Sequence, residues 1–414
     1  MTRKPAALAL AAALFATVHL ASTAPARQKK ELDAAATAAT LKKLGGVLHL
    51  SEVTDTGEIK LTKTAKIDPT SGKVPVYQFT GANDFVLSKL PKSDAIVGLD
   101  LNGPQIGDAT MKAVAGFRNL HFLSVNNTKI SDEGLKDVFA CKELRVLDLS
   151  GTKITADALR NLDQLKDLRA LDLSRCGAAS DKGVRDLGLV KELRSLNLER
   201  TRVGDTGLKD LAPLTKLFTL NLNNTKTTDA GLTELAAFPE LTNLHLASTD
   251  VGQYNLAPLK NLKKLERLDL RGTRTGNDSL KDLAGMLALR HLNLADCRAD
   301  DDGMKHIATT GVTHLTLTKL RLGDDGLGWV GKMKGLKSLT LDHTRVTDAG
   351  MKELAGLTDL EELSLVDTAI TDAGLKELKS RSLTKVWLRG CKKVTKTGLA
   401  ALKALNPKIV IDGP

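Results

Sequence analysis

Aromatic side chains are scarce: 3% of 414 residues, with 2 Trp, 2 Tyr and 8 Phe. A core that cannot rest on large rings must be built from Leu, Ala and Val, and 42% of the chain is hydrophobic. Only 4 cysteines are present, too few for a disulfide scaffold, and no C-x-x-C pair offers zinc ligands. One long apolar run exists, at the N-terminus, which excludes a multi-span membrane protein. The charged fraction is 26% with a net +11, a balance that allows a buried core and does not suit a disordered chain.

The apolar run is short for a spanning helix. Arg3 and Lys4 precede it, Ala6 to Leu20 form it, and Ala24-Pro25-Ala26 follows as a small-x-small pattern. Residues 1–26 therefore read as a signal peptide cut after Ala26, with an uncleaved anchor as the alternative, and the expected location is exported, periplasmic or extracellular. No stable membrane insertion is expected after cleavage.

What the sequence has in abundance is one pattern, L-x-x-L-x-L. It begins at Ile96, Leu120, Leu144, Leu168, Leu193, Leu217, Leu241, Leu265, Leu289, Val312, Leu336, Leu360 and Leu383, 13 copies spaced by 23 to 25 residues. A weaker copy, Val74-x-x-Tyr77-x-Phe79, comes first, and a truncated one ends in Ile409 and Ile411. In Leu168-Arg169-Ala170-Leu171-Asp172-Leu173, apolar and polar residues alternate, the mark of a half-buried strand. A small residue such as Thr152, Thr201, Thr225 or Thr344 follows, suited to a buried turn. Then comes a cap and a helix, as in Val346-Thr347-Asp348-Ala349-Gly350-Met351-Lys352-Glu353-Leu354, where Thr and Asp can accept from free helix N–H groups. Gly350 costs helix propensity, and close approach of a neighbouring backbone is its expected reason.

No such unit can bury its strand and helix alone, so neighbours must stack. A repeat of this length is the signature of a leucine-rich repeat. The expected fold class is α/β: a right-handed leucine-rich repeat solenoid, a horseshoe with parallel strands on the concave face and helices on the convex face. Residues 27–73 lack the repeat and read as an N-terminal cap: an Ala-rich helix from Lys29 to Leu44, two short strands between Val47 and Leu61 about Asp55-Thr56-Gly57, and a turn at Asp68-Pro69-Thr70-Ser71-Gly72. Residues 74–414 hold about 14 units plus the truncated last strand.

The segments Val346-Thr347-Asp348-Ala349-Gly350-Met351 and Ile370-Thr371-Asp372-Ala373-Gly374-Leu375 resemble the cysteine-containing, ribonuclease-inhibitor-like subclass of leucine-rich repeats, with its "ITDxGL" helix start. That subclass favours Cys after the strand, where Cys176, Cys297 and Cys391 sit, and just before it, where Cys141 sits. The Thr-rich variant with an export signal, and Leu44-Gly45-Gly46-Val47, are similar to exported bacterial leucine-rich repeat proteins. The resemblance implies a binding protein without enzymatic activity. Its eukaryotic branch implies an F-box adaptor of a ubiquitin ligase, but no F-box helix set precedes the repeats. The helix-start Asp is kept in 9 of 13 units and replaced by Ala156, Gln253, Asn277 and Lys396. The unit at Val251-Gly252-Gln253-Tyr254-Asn255 loses both Asp and Gly, through distortion or drift.

Catalytic chemistry finds no support. Gly326-Leu327-Gly328-Trp329-Val330-Gly331-Lys332-Met333 approaches a phosphate loop, but Met333 stands where Ser or Thr is needed and the segment falls on an outer helix. His245 and His291 have no paired nucleophile. No catalytic residue, metal or cofactor is expected. Asp296, Asp300, Asp301, Asp302, Asp324 and Asp325 form an acidic cluster that could attract calcium, or could be a solvated rim.

Two surfaces could bind a partner. The expected concave rows hold Asp148, Asp172, Asn197, Asn221, His245, Asp269 and Asn293, flanked by Glu199, Asn223, Arg267, Arg271 and His291. Polar stripes on rigid strands suit recognition of a protein or cell-envelope polymer, and the few aromatics, Phe122 and Trp387, do not advertise a tight interface. A basic rim runs through Lys129, Lys153, Arg202, Lys226, Arg274, Arg298, Arg321, Arg345 and Lys392. It could hold a polyanion, but Asp132, Asp205, Asp229, Asp301, Asp324 and Asp348 lie three residues on and are expected to pair with it. Nucleic acid is not an expected partner, and the chain reads as a monomer.

Overall fold

The computed structural model describes residues 24–53, 59–64 and 74–414. The apolar run Ala6 to Leu20, the turn at Asp55-Thr56-Gly57 and the cluster at Asp68 to Gly72 lie outside them. The chain forms two compact units, Met1–Asn221 and Leu222–Pro414.

The first unit opens with helix α1 (Ala24–Lys43), five residues longer at its start than the Ala-rich pattern predicts. Strands β1 (Val47–Val53) and β2 (Ile59–Lys63) pair antiparallel, with His49 opposite Lys63. Strand β1 also pairs antiparallel with β3 (Pro75–Gln78), Leu48 opposite Tyr77. From β3 onward every pairing is parallel: β4 (Val97–Asp100), β5 (Leu120–Ser124), β6 (Val146–Asp148), β7 (Ala170–Asp172), β8 (Ser195–Asn197) and β9 (Thr219–Asn221). The weak copy at Val74 is a true repeat, since Val74, Tyr77 and Phe79 are all at most 4% exposed.

The second unit repeats the theme with β10 (Asn243–His245), β11 (Arg267–Asp269), β12 (His291–Asn293), β13 (His314–Thr316), β14 (Ser338–Thr340), β15 (Glu362–Ser364), β16 (Lys385–Trp387) and β17 (Val410–Asp412), parallel and in sequence order. In each unit the strand leucines stack in register, Leu171 on Leu196 and Leu292 on Leu315, all at most 2% exposed. Burying one such side chain stabilises by roughly 1.5–3 kcal/mol, and the burial exists only because the next repeat covers it.

The expected start of the first strong copy is corrected. Ile96 is 51% exposed, and Val97 takes the place of the leading leucine opposite Leu120. The register slips between Val97 and Gly98, so His121 is the extra residue of a β-bulge.

The Thr-Asp-x-Gly helix start is a fastener between repeats. Asp324 accepts the N–H of Thr347 at 2.8 Å and its hydroxyl at 2.6 Å. Thr347 in turn caps its own helix, accepting from Ala349 N–H at 3.3 Å. The same three-way contact recurs at Asp348 with Thr371 and Asp372 with Thr395. In the first unit, Asp108 with Ser131 and Asp132 with Thr155 repeat it. The neighbour that requires glycine is this carboxylate: a Cβ on Gly350 would stand 2.5 Å from Oδ1 of Asp324 and 3.1 Å from its Cα. Asn277 serves as Asp does, accepting Asp300 N–H at 3.0 Å.

The outer segments are shorter and tighter than the helices the sequence suggests. Several are single α-turns running into a 3-10 turn, as at Asp348–Met351 and Lys352–Gly356. The divergent repeat is distorted: it has only the 3-10 segment Ala257–Asn261, with Pro258 in its first turn and Gly252 at φ +77°. Asp229 still reaches it, accepting Gly252 N–H at 2.5 Å and Tyr254 N–H at 2.8 Å.

Candidate binding surface

The sheet face opposite the leucines carries two rows per unit, and the strand register decides which residues share a row. In the first unit one row is apolar as far as Ala170, and Ser195 and Thr219 continue it. Val76, Phe122, Val146 and Ala170 form a cluster at most 4% exposed. Gly98 lies between Val76 and Phe122, where a Cβ would come within 2.8 Å of both side chains. The expectation of a polar surface throughout is therefore corrected for this stretch.

The second row of that unit is a ladder of carboxylates and amides. Gln78 donates to Asp100 at 2.7 Å, Ser124 to Asp148 at 2.8 Å, and Asn197 Nδ2 to Asp172 at 2.9 Å. Burial, and then the Asp148 carboxylate beside it, raises the Asp172 carboxyl to about 7. Burial also lowers His121 to about 4, helped by the Arg145 and Arg169 charges. Among the described residues, Nε of Arg145, Nε of Arg194 and Oγ of Ser195 are buried without a hydrogen-bond partner.

Much of the central row is structural. Oδ1 of Asp148 accepts Ser150 N–H, Asp172 accepts Ser174, Asn197 accepts Glu199, Asp269 accepts Arg271 and Asn293 accepts Ala295, at 2.8 to 3.0 Å. This two-residues-on bond is the local turn that Asp and Asn make. Asp or Asn at these five positions is a signal that sequence reasoning missed. Each such turn leads into a residue with left-handed backbone, among them Arg175 (φ 56°), Arg200 (φ 56°) and Asp296 (φ 57°).

The residues singled out from sequence thus divide by depth. Asp172, Asn197, Asn221, Asn223 and His245 are at most 8% exposed. Glu199, Arg267, Asp269, His291 and Asn293 are half-buried, and Arg271 is exposed. His314, which sequence reasoning passed over, stacks on His291 with ring centroids 4.1 Å apart and planes inclined by 22°. His291 and His314 face each other across β12 and β13 in register. His245 lies in the other row, in register with Asp269.

The rim cations Lys129, Lys153, Arg202, Lys226, Arg274, Arg298, Arg321, Arg345 and Lys392 are all exposed. Their expected pairing with the Asp three residues on is corrected. Asp132, Asp324 and Asp348 accept from Thr155, Thr347 and Thr371 of the following repeat, and Asp301 from Gly323 N–H at 2.7 Å. Arg274 does meet a carboxylate, Asp250 at 2.8 Å, one repeat back. Part of the acidic cluster is likewise occupied: Asp300 accepts Asn277 Nδ2 at 2.6 Å and Asp302 N–H at 3.2 Å. Among the described residues no group of three or more His, Cys, Asp or Glu is placed to hold a metal ion.

Comparison with known proteins agrees with this architecture. A family model described as "Leucine Rich repeat" matches residues 192–212 and 356–379. The structure is similar to an internalin of Listeria monocytogenes, with a TM-score of 0.54 and 20% identity over 74% of this chain and 88% of that one. It is also similar to a leucine-rich repeat protein of Leptospira interrogans, with a TM-score of 0.51 and 18% identity over 76% of this chain and 90% of that one. The fold is an α/β leucine-rich repeat solenoid. No protein of curated function matches the chain by sequence.

Within the leucine-rich repeats the cysteines are free thiols. Cys297 and Cys391 each donate to a strand carbonyl one repeat back, Leu270 and Leu365, both at 3.0 Å. Thr occupies the same turn position elsewhere, and there its hydroxyl bonds its own strand, as Thr344 does to Leu341 at 2.6 Å. The glycine-rich segment after Gly326 lies on the helix Asp324–Val330, with Leu327 and Val330 buried. Trp329 on that helix is 38% exposed, with the Lys332 ammonium 3.6 Å over its ring.

Proposed function

We propose that this chain is a non-enzymatic, exported binding scaffold of bacterial type that recognises a protein through the sheet face of its leucine-rich repeats. One observation carries the reading. In the second unit Arg267, Asp269, His291 and Asn293 stand half-exposed in two rows on β11 and β12, and the opposite face of those strands is sealed leucine. Parallel ladders hold the rows rigid, so a partner meets a preorganised polar surface and little ordering entropy is lost on binding. The solved leucine-rich repeat structures share the fold, and the reading of export rests on the charged and apolar N-terminal regions before Ala26. The Thr-Asp-x-Gly fastener and the cysteine positions support the cysteine-containing subtype. No described helix is long and apolar enough to cross a membrane.

The test is capture of partners from the cell envelope on immobilised full-length chain, compared with a variant carrying Asp269→Arg and Asn293→Arg. These side chains are half-exposed, so the fold should survive. Loss of capture with an unchanged circular dichroism spectrum is the expected result; equal capture rejects this face.

A second reading, a polyanion bound along the basic rim, is favoured by the engagement of the nearby Asp residues with neutral donors of the next repeat rather than with the rim cations. Replacing Arg298, Arg321 and Arg345 by Glu tests it. Capture through the rim should fall steeply with salt, as counterion release requires, whereas capture through the sheet face should not.

A further inference from the structure

We propose that Arg267, His291 and His314 form a subsite that takes a carboxylate of an acidic protein segment, with uptake of a proton as it binds. This rests on the sheet face of the second unit being the recognition surface. Three neighbouring parallel strands place the three side chains in one row, Arg267 beside His291 and His291 beside His314. All three are half-buried, within reach of a ligand laid on the sheet and partly shielded from water. The two rings stack at 4.1 Å. His314 Nδ1 is engaged by Thr313 Oγ1 at 2.9 Å, but among the described residues neither ring nitrogen of His291 has a hydrogen-bond partner.

A shared metal ion does not fit this pair. Imidazole lone pairs lie in the ring plane, and planes inclined by only 22° do not meet within a metal–nitrogen bond of roughly 2.0–2.1 Å. An oxyanion does fit, because an imidazole N–H and a guanidinium both donate to it, and charge-assisted bonds are the strong ones.

The surroundings explain why proton uptake accompanies binding. Burial, then Arg267, then His314 lower His291 to about 4, and burial and Arg267 also lower His314. Lys337 before β14 adds to the lowering at His314, while Glu361 and Glu362 at β15 oppose it. Glu362 is itself paired with Lys385 at 3.3 Å. Arg290 is turned away, its Nη1 donating to the Leu287 and Gly311 carbonyls. Asp269, the carboxylate on the same face, is held by Arg271 N–H at 3.0 Å. The pair therefore stays neutral until a negative charge arrives, and a bound carboxylate raises its proton affinity.

The experiment titrates the full chain with hexaglutamate by calorimetry at pH 7.5 and 5.5, and follows the imidazole resonances by NMR. Binding should tighten about tenfold at the lower pH, which corresponds to the bound carboxylate returning the His291 imidazole from about 4 to its ordinary value near 6.5, with the His291 and His314 signals moving on ligand addition. The His291→Gln, His314→Gln double variant should lose the pH dependence. Arg267→Gln should weaken binding at both pH values. Unmoved imidazole signals in the unmodified chain, or a pH dependence kept by the double variant, overturn the proposal. So does tighter binding of polygalacturonate than of hexaglutamate, which would assign the site to an acidic glycan. If envelope capture is lost with Asp269→Arg and Asn293→Arg yet hexaglutamate does not bind, the scaffold reading stands and the carboxylate subsite falls.

Discussion

The carboxylate of Asp324 accepts both the N–H and the hydroxyl of Thr347, one repeat further along the chain, at 2.8 and 2.6 Å. Removing it leaves the Thr347 donors without that partner, a loss of about 1–3 kcal/mol. Asp324→Ala should lower the urea midpoint accordingly. Gly350→Ala should do the same by a different route, since its Cβ would meet Asp324 Oδ1 at 2.5 Å. The double variant tests the mechanism: with the carboxylate gone the nearest clash is relieved, leaving Leu327 Cδ1 at 2.9 Å, so the combined effect should be clearly smaller than the sum of the two. Full additivity would mean the two residues act independently.

The left-handed position after each strand should rank substitutions by backbone preference rather than by size. Gly272 sits at φ 67°, and a Cβ there would have nothing nearer than 3.3 Å. Gly272→Ala should cost roughly 1–2 kcal/mol, and Gly272→Asn less, because Asn visits this conformation more readily. Equal stability of the two variants in chemical denaturation would contradict the ranking.

Asp172 gives the first unit a pH-dependent stability. Its carboxyl is raised to about 7, above the unfolded value of 3.8, so the folded state holds the proton more tightly. Stability should therefore fall as pH rises from about 4 to about 7, by an amount on the order of 1–4 kcal/mol. Asp172→Asn should flatten that slope and raise the urea midpoint at pH 7.5 while changing little at pH 4. A midpoint lowered at both pH values would show that the charge is needed rather than tolerated.

The thiols should be inert in the folded chain. Burial pushes Cys141 up to about 12 and raises Cys176 and Cys297 as well. Iodoacetamide at pH 8 should leave Cys141 and Cys176 unmodified in native protein and label all four after denaturation, as mass spectrometry would read. Rapid native labelling of Cys141 would show that its repeat opens.

Sequence alone determined the repeat, its length, the strand within it and the stacking of one unit on the next, because leucines kept in phase can be buried in no other way. It also placed the glycine-rich segment after Gly326 on a helix and ruled out a phosphate loop. Only the tertiary structure decided what the polar residues do. Asp348 reads equally well as the partner of Arg345 three residues before it or of Thr371 in the next repeat, and the choice depends on where stacking sets the following turn. Phe122 reads as an exposed aromatic from its alternation, yet is 1% exposed beside Val76 and Val146. His291 and His314 are 23 residues apart in a chain with 8 histidines, and nothing in that spacing marks them as a pair until parallel register brings their rings together. Hydrophobic periodicity is a one-dimensional signal, whereas hydrogen-bond and charge partners are chosen across the stack, by distances that exist only once the repeats are in contact.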